Sequence, residues 1–446
     1  MLILSTQNRF PLNGTARGDH AAISLHRQSE KHFITPKSIS VFMKTSNLRT
    51  AVLCIMTGAA TLSTSCSKKL DSPLLSDKQK VAGIDDFGML VLDPVLFANN
   101  IEAYMNGKVA GYGYTIYHNG VAYFAGHGGG GWARKAVDAP ATRHGAYIRQ
   151  GTASCTKFIS ALATVALLEK CEVDLEEKIY TYLPTNWKPT AEFKELDFAH
   201  LLSHRTGLIK YGGTWADLKK TVEGGVQIDE FKNEIRDYDN INYAMLPVIL
   251  PYMLAKRKFP LDYNMLKSLE GNPDAIYKAV AQRFITQVRV NVFKKANLAQ
   301  WDIIDYCAWN ENGPMPASLG TLGYPTANGV EKGSEKDDNR WNGGAGGLYI
   351  SAADYAKVQS SAALGVIVGD ANYQRMRNEL LGFDGVVTGA HGKYTWKNGG
   401  ANNHETMIFD FGNTQLAVFA NSPNSEIANK PSILATAFDK AWVIKE

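Results

Sequence analysis

Cysteine is scarce in this chain: five residues in 446, at positions 54, 66, 155, 171 and 307. Two of them, Cys54 and Cys66, fall in the N-terminal leader, and the three that remain cannot all pair. Cys155 and Cys171, if carried on one helix, would stand roughly 24 Å apart, beyond disulfide reach. A disulfide-built scaffold is thereby excluded, and at least one thiol stays free. Long apolar runs are also missing, since Ala51 to Leu62 is too short for a stable membrane span. No internal repeat is apparent. A one-signed charge is lacking too, although the formal net charge is +4. Seven Lys/Arg and two acids lie in residues 1–65, which leaves 40 basic against 41 acidic residues in the rest. That balance carries no footprint for nucleic acid. What is present, 45% hydrophobic and 20% charged residues, is the composition of a soluble globular protein with ample core. The length allows two or three average domains or one large mixed domain.

Residues 1–42 read as an upstream start-site artefact or an extended leader. Met43 opens a better start: Lys44 and Arg49 are followed by the short apolar run and then Leu62-Ser63-Thr64-Ser65-Cys66. Segment 43–66 thus reads as a secretory signal. It resembles a bacterial lipoprotein signal, which implies lipidation at Cys66 and a membrane-anchored, periplasmic or outer-membrane location. The leucine stands one place farther from the cysteine than that pattern usually puts it. Residues 67–84 read as a polar tether, and structure is expected from about Asp85.

Asn99 to Asn106 predicts a helix. Gly111–Tyr117 and Val121–Phe124 predict two strands around His118-Asn119-Gly120, a strong hairpin signal. The glycine cluster Gly126–Gly131 has neither a Lys-Ser/Thr sequel nor a helix start after it, so it reads as a flexible loop after a strand and not as a phosphate cradle. Helical periods continue to about residue 300. Pro251–Asp274 and the Gly/Pro/Asn-rich stretch Asn310–Asn342 look inserted, the latter as a lid or a disordered loop. Met407–Phe411 and Thr414–Ala420 predict strands, and Ser432–Val443 a closing helix. Strands at both ends with a helical middle imply an α/β (α+β) domain over 85–446. Its largely antiparallel sheet lobe would take about 85–150 and 343–446, and an all-helical lobe about 151–342.

The chemistry is concentrated in three segments. Ser154-Cys155-Thr156-Lys157 heads a nearly unbroken apolar helix, and residues three apart share a helix face, so hydroxyl and amine should be neighbours. A serine at a helix start also meets unpaired N–H groups and the positive dipole end. Cys155 is a rival nucleophile, but it points about 100° away around the helix with no base at the right offset, so it reads as a small core residue. The second segment is Tyr238-Asp239-Asn240 and the third is Lys397-Asn398-Gly399-Gly400. Taken alone, Ser-x-x-Lys is a common N-cap pattern, Tyr-x-Asn a turn or helix edge, and Lys-x-Gly a hairpin tip. His200 and His204 read as capping and packing a helix end, with no carboxylate at an offset that would support a metal. His391 and His404 flank the third segment, either touching substrate or serving as polar groups at a strand edge. Trp396 and Tyr394 read as sheet packing.

In this order the three segments resemble the Ser-x-x-Lys, Tyr-x-Asn and Lys-Thr-Gly motifs of the serine β-lactamase and penicillin-binding peptidase superfamily. Asp174–Pro184, Leu201–Leu208 and Gly344–Asp354 are similar to its class C β-lactamase and D-alanyl-D-alanine carboxypeptidase branch. The resemblance spans roughly residues 95–445. It implies a β-lactamase/transpeptidase-like fold, an antiparallel sheet flanked by helices plus a helical lobe, and acylation of Ser154. Lys157 or Tyr238 would be the base, Asn240 would orient Lys157 or the substrate amide, and Lys397 would add positive potential. The N–H groups of Ser154 and Gly400 would hold the oxyanion, with Gly399 and Asn398 beside the substrate. No metal or organic cofactor is implied.

Asn398 stands where the motif has a hydroxyl residue, which weakens the expectation of binding a substrate carboxylate. The expected function is a serine hydrolase on a small acyl substrate or peptidoglycan-type peptide, ranked above a true class C-like β-lactamase. A non-catalytic cell-wall-binding or sensing lipoprotein is the alternative from another class.

Overall fold

The computed structural model describes residues 89–307, 320–341 and 343–445. The leader, Cys66, the tether, Asp85 and part of the stretch Asn310–Asn342 lie outside them.

Eleven strands and twelve α-helices are described. The strands are β1 (Met89–Leu92), β2 (Gly111–His118), β3 (Val121–Arg134), β4 (Thr142–Arg143), β5 (Arg149–Gly151), β6 (Tyr349–Ser351), β7 (Gly385–Gly389), β8 (Gly392–Ala401), β9 (His404–Asp410), β10 (Thr414–Ala420) and β11 (Trp442–Lys445). Seven of them form one antiparallel sheet in the order β4-β3-β2-β10-β9-β8-β7. Asn119 and Gly120 both have positive φ at the β2–β3 turn, as the two-residue hairpin signal predicts. The middle of the sheet joins distant chain: β10 pairs β2 from Thr414↔His118 to Ala420↔Tyr112. Burial of apolar side chains on both faces of β9 and β10 explains their nearly continuous hydrophobic sequence.

One face of the sheet is covered by α1 (Pro94–Met105) and α12 (Ser432–Asp439), where Phe97, Phe411 and Phe438 pack together. Asp93 caps α1 by accepting from the N–H groups of Val95 and Leu96. The other face meets the helical part. Its centre is α2 (Thr156–Cys171), buried around nearly its whole circumference, which accounts for its unbroken apolar sequence. Around it lie α3 (Phe198–Ser203), α4 (Trp215–Gly224), α5 (Ile228–Lys232), α6 (Asn240–Ala244), α7 (Leu246–Lys258), α8 (Pro260–Leu269) and α9 (Pro273–Val288), then α10 (Ala352–Ala363) and α11 (Asp370–Asn378).

Two expectations are corrected. Gly126–Gly131 is not a loop but the middle of β3, laddered to β2. A Cβ at Gly131 would stand 2.3 Å from the Ala110 carbonyl oxygen, and one at Gly128 would enter the Tyr114 ring. Glycine is used there to let backbone and tyrosine rings approach the strand closely. The closing helix stops at Asp439, and Trp442–Lys445 instead pairs with Met89–Leu92 as a two-stranded ribbon. Its partner lies at the opposite end of the described chain, which local periodicity cannot reveal.

Candidate active site

Ser154 sits in a short 3₁₀ turn, Ala153–Cys155, between β5 and α2. Ala153 has φ +44°, a conformation that side chains disfavour, so the turn is strained and held from outside. Thr156 donates its hydroxyl to the Ala153 carbonyl at 2.6 Å and accepts the Leu348 N–H at 3.0 Å. From the sheet, Thr406 of β9 donates to the Thr152 carbonyl at 2.9 Å, and the Cys155 thiol donates to the Lys397 carbonyl at 3.4 Å.

Lys157, one turn into α2, is fully buried. Its Nζ lies 3.2 Å from Ser154 Oγ, 2.7 Å from Asn240 Oδ1 and 2.6 Å from the Ala345 carbonyl oxygen. Asn240 opens α6, whose N-cap Asp239 accepts the Ile241 N–H. Tyr238, two residues upstream, brings its ring near two amines: the Nζ atoms of Lys157 and Lys397 are each 5.0 Å from its centroid. Its hydroxyl faces Ser154 and Lys397. Lys397 comes from β8, and its Nζ donates to Asp384 Oδ2 at 2.6 Å and to the Asn398 carbonyl at 2.9 Å. Ser154, Asn240, Ala345 and Gly400 line an open cleft of about 340 Å³, with Lys210 and Asp337 at its wall.

The Beta-lactamase family model matches residues 97–253. FmtA from Staphylococcus aureus superposes with TM-score 0.56 at 16% identity, covering 82% of this chain and 92% of that one. The D-amino acid amidase of Ochrobactrum anthropi SV3 gives TM-score 0.55 at 16% identity, over 77% of this chain and 97% of that one. A β-lactamase/D-alanine carboxypeptidase from Yersinia pestis gives 0.54 at 14% identity, over 77% and 99%. No curated protein matches the sequence. Residues 97–253 thus resemble the Beta-lactamase family, and the chain has the fold of the serine β-lactamases and penicillin-binding proteins.

Within this superfamily fold the three sequence motifs converge on one crevice, and its electrostatics follow from the contacts. Burial, then the nearby Lys397 charge, holds the Lys157 amine well below the ordinary lysine range. Burial raises the Tyr238 phenol despite the lowering influence of Lys397 and Ser154. Cys155 is fully buried, and burial pushes its thiol up to about 12, in keeping with a core residue.

Asn398 donates its side-chain nitrogen to the Ala428 carbonyl, in the turn after β10. Gly399 acts through its lack of a side chain: a Cβ there would stand 2.6 Å from the Thr152 carbonyl oxygen. His200 does have a supporting carboxylate, Asp197, which caps α3 through the His200 N–H and also meets its ring. His204 ends α3 with φ +61° and packs its ring 4.5 Å from that of Tyr238. Burial, then the Lys157, Arg236 and Lys397 charges, takes it down to about 2, so it is a neutral wall of the crevice. His391 stacks on Trp442 at 4.3 Å, while His404 is buried at the cleft wall.

Two participants were missed from sequence. Asp384, in the turn before β7, also accepts the Asn398 N–H at 3.2 Å and faces Arg236 at 3.5 Å. An isolated Phe-Asp-Gly gives no signal of that. The Ala345 carbonyl belongs to the Gly344–Asp354 stretch, whose resemblance to the family was the available pointer.

Proposed function

We propose that this protein is a serine hydrolase that passes through an acyl-enzyme on Ser154, with an ester or amide as substrate. The observation that carries the reading is the set of partners around Lys157. Two of them, Asn240 Oδ1 and the Ala345 carbonyl, can only accept. Held well below the usual lysine range, the amine in its neutral form gives these two its N–H groups and keeps its lone pair for the Ser154 hydroxyl, whose oxygen lies 3.2 Å away. That is the arrangement of a general base on a nucleophile, and it favours Lys157 over the raised Tyr238 phenol.

Ser154 Oγ forms a bond to the carbonyl carbon as its proton moves to Lys157 Nζ. The N–H groups of Ser154 and Gly400 take the oxyanion. On collapse the bond to the leaving group breaks, and that group takes a proton from the Lys157–Tyr238 pair. Water then attacks the ester by the same route in reverse. The superposed amidase and carboxypeptidase act, by their names, on D-amino acid amides and D-alanine peptides, which supports a small amino-acyl or peptide substrate here. The reading includes export and a lipid anchor at Cys66, supported by the signal-like segment 43–66.

The test is covalent labelling by a fluorophosphonate and by a fluorescent penicillin, with Ser154→Ala as the control. Labelling lost in a variant that keeps its thermal transition is expected. Labelling that survives would remove Ser154 as the nucleophile.

A further inference from the structure

Two buried amines lie at one crevice, each 5.0 Å from the centroid of the Tyr238 ring. Lys157 and Lys397 are both essentially inaccessible to water. Two ammonium groups so close and so dry repel each other and lack hydration, so such a site holds protons only where it can compensate them. Their contacts are unequal. The three groups bonded to Lys157 are all neutral. Lys397 has a carboxylate oxygen at 2.6 Å, and that same oxygen is fixed by the Asn398 N–H. Arg236, on the strand of chain leading to Tyr238, flanks the other oxygen and donates to the Phe383 carbonyl at 3.2 Å. Asp384 thus ties the Tyr238 segment to β8 and faces only one of the two amines at contact distance.

We propose that Asp384 is a positioning residue that decides which of the two buried lysines carries the proton, keeping Lys397 an ammonium and leaving Lys157 a free amine. It touches Lys397, Arg236 and the Asn398 backbone, so it acts through them. The charged and titratable groups facing Lys157 are Lys397, Asp384, Cys155, Asp239, Tyr238, Tyr243 and His204. Those facing Lys397 include Asp384, Tyr238, Cys155, Lys157 and His204. Asp384 belongs to both sets. Its negative charge raises the proton affinity of Lys157 and stands in direct contact with Lys397. The role of Asp384 gains catalytic meaning from the acyl-transfer reading above, but the allocation itself is a property of the crevice.

The experiment is a pH titration of lysine side-chain 13Cε and 15Nζ resonances, assigned by their loss in Lys157→Met and Lys397→Met. At pH 7 the Lys157 signal should be that of an amine and the Lys397 signal that of an ammonium. In Asp384→Asn the Lys397 titration should move acid-ward by about one pH unit or more, and Asp384→Glu should restore it. The alkaline limb of Ser154 labelling should move with it. A structural role alone would lower labelling at every pH without moving the limb. Two charged lysines in the native protein, or a Lys397 titration unmoved by Asp384→Asn, overturns the proposal. If Asp384→Asn does not fold, the native titration decides alone. An unlabelled Ser154 beside the expected lysine titrations would sink the hydrolase reading and leave this one standing.

Discussion

A side chain at position 399 would place its Cβ 2.8 Å from the backbone nitrogen of Ser154. Strand β8 and the turn that presents the serine are therefore as close as two backbones can come. The same Cβ would also meet the Thr152 carbonyl, so neither neighbour can yield as a flexible side chain would. Gly399→Ala should cost about 1–3 kcal/mol of stability and reduce Ser154 labelling by about 100-fold, because it displaces the N–H groups proposed for the oxyanion. A thermal transition and a labelling rate measured on one preparation check both. Unchanged labelling would show that the close approach has no bearing on the site.

Lys157 should make stability depend on pH. Its folded value lies well below the usual lysine range, so between the two values the unfolded chain binds the extra proton. Stability contributed through this group then rises with pH across that window and falls as the solution is acidified. In Lys157→Met this dependence disappears. The melting temperature of the wild type relative to Lys157→Met should climb steadily from pH 7 to pH 10, as read by thermal denaturation. A difference that stays flat over that range contradicts a buried neutral amine.

Cys155 and Ser154 are adjacent, and only one can be the nucleophile. The thiol, buried and pushed up to about 12, donates to the Lys397 carbonyl. Cys155→Ser should retain fluorophosphonate labelling to within about 3-fold, since the hydroxyl can keep the hydrogen bond. Iodoacetamide should leave Cys155, Cys171 and Cys307 unmodified in the native protein, because all three are buried, and alkylate them after denaturation. Rapid native alkylation of Cys155 with loss of activity would reverse the assignment.

Asn398 offers a test of how far the family motif carries over. Its amide is bonded to the Ala428 carbonyl. Asn398→Ala should lower stability by about 1 kcal/mol while changing the acylation rate less than about 3-fold. A large rise in KM for carboxylate-bearing acyl donors, at unchanged stability, would return Asn398 to the substrate.

Much of the sheet was legible because its signals are local. The Asn119-Gly120 turn, the strands around Gly412-Asn413 and the apolar helix after Ser154 each declare themselves within a dozen residues. Gly126–Gly131 misled because glycine looks the same whether it loosens a loop or admits a neighbouring backbone. The segment Trp442–Lys445 was hidden for another reason, its strand partner being more than 300 residues away.

The sequence alone determined which reactive groups exist and one geometric fact about them: Ser154 and Lys157, three apart on a helix, must be neighbours. It also carried the order of motifs on which the resemblance to the superfamily rests. Only the tertiary structure decided that Asp384 meets Lys397, that Asn398 turns to Ala428, and that Lys157 is buried enough to hold its amine below the usual lysine range. Proton affinity depends on burial and on charges a few ångströms away in space, and neither is written in the spacing of residues along a chain.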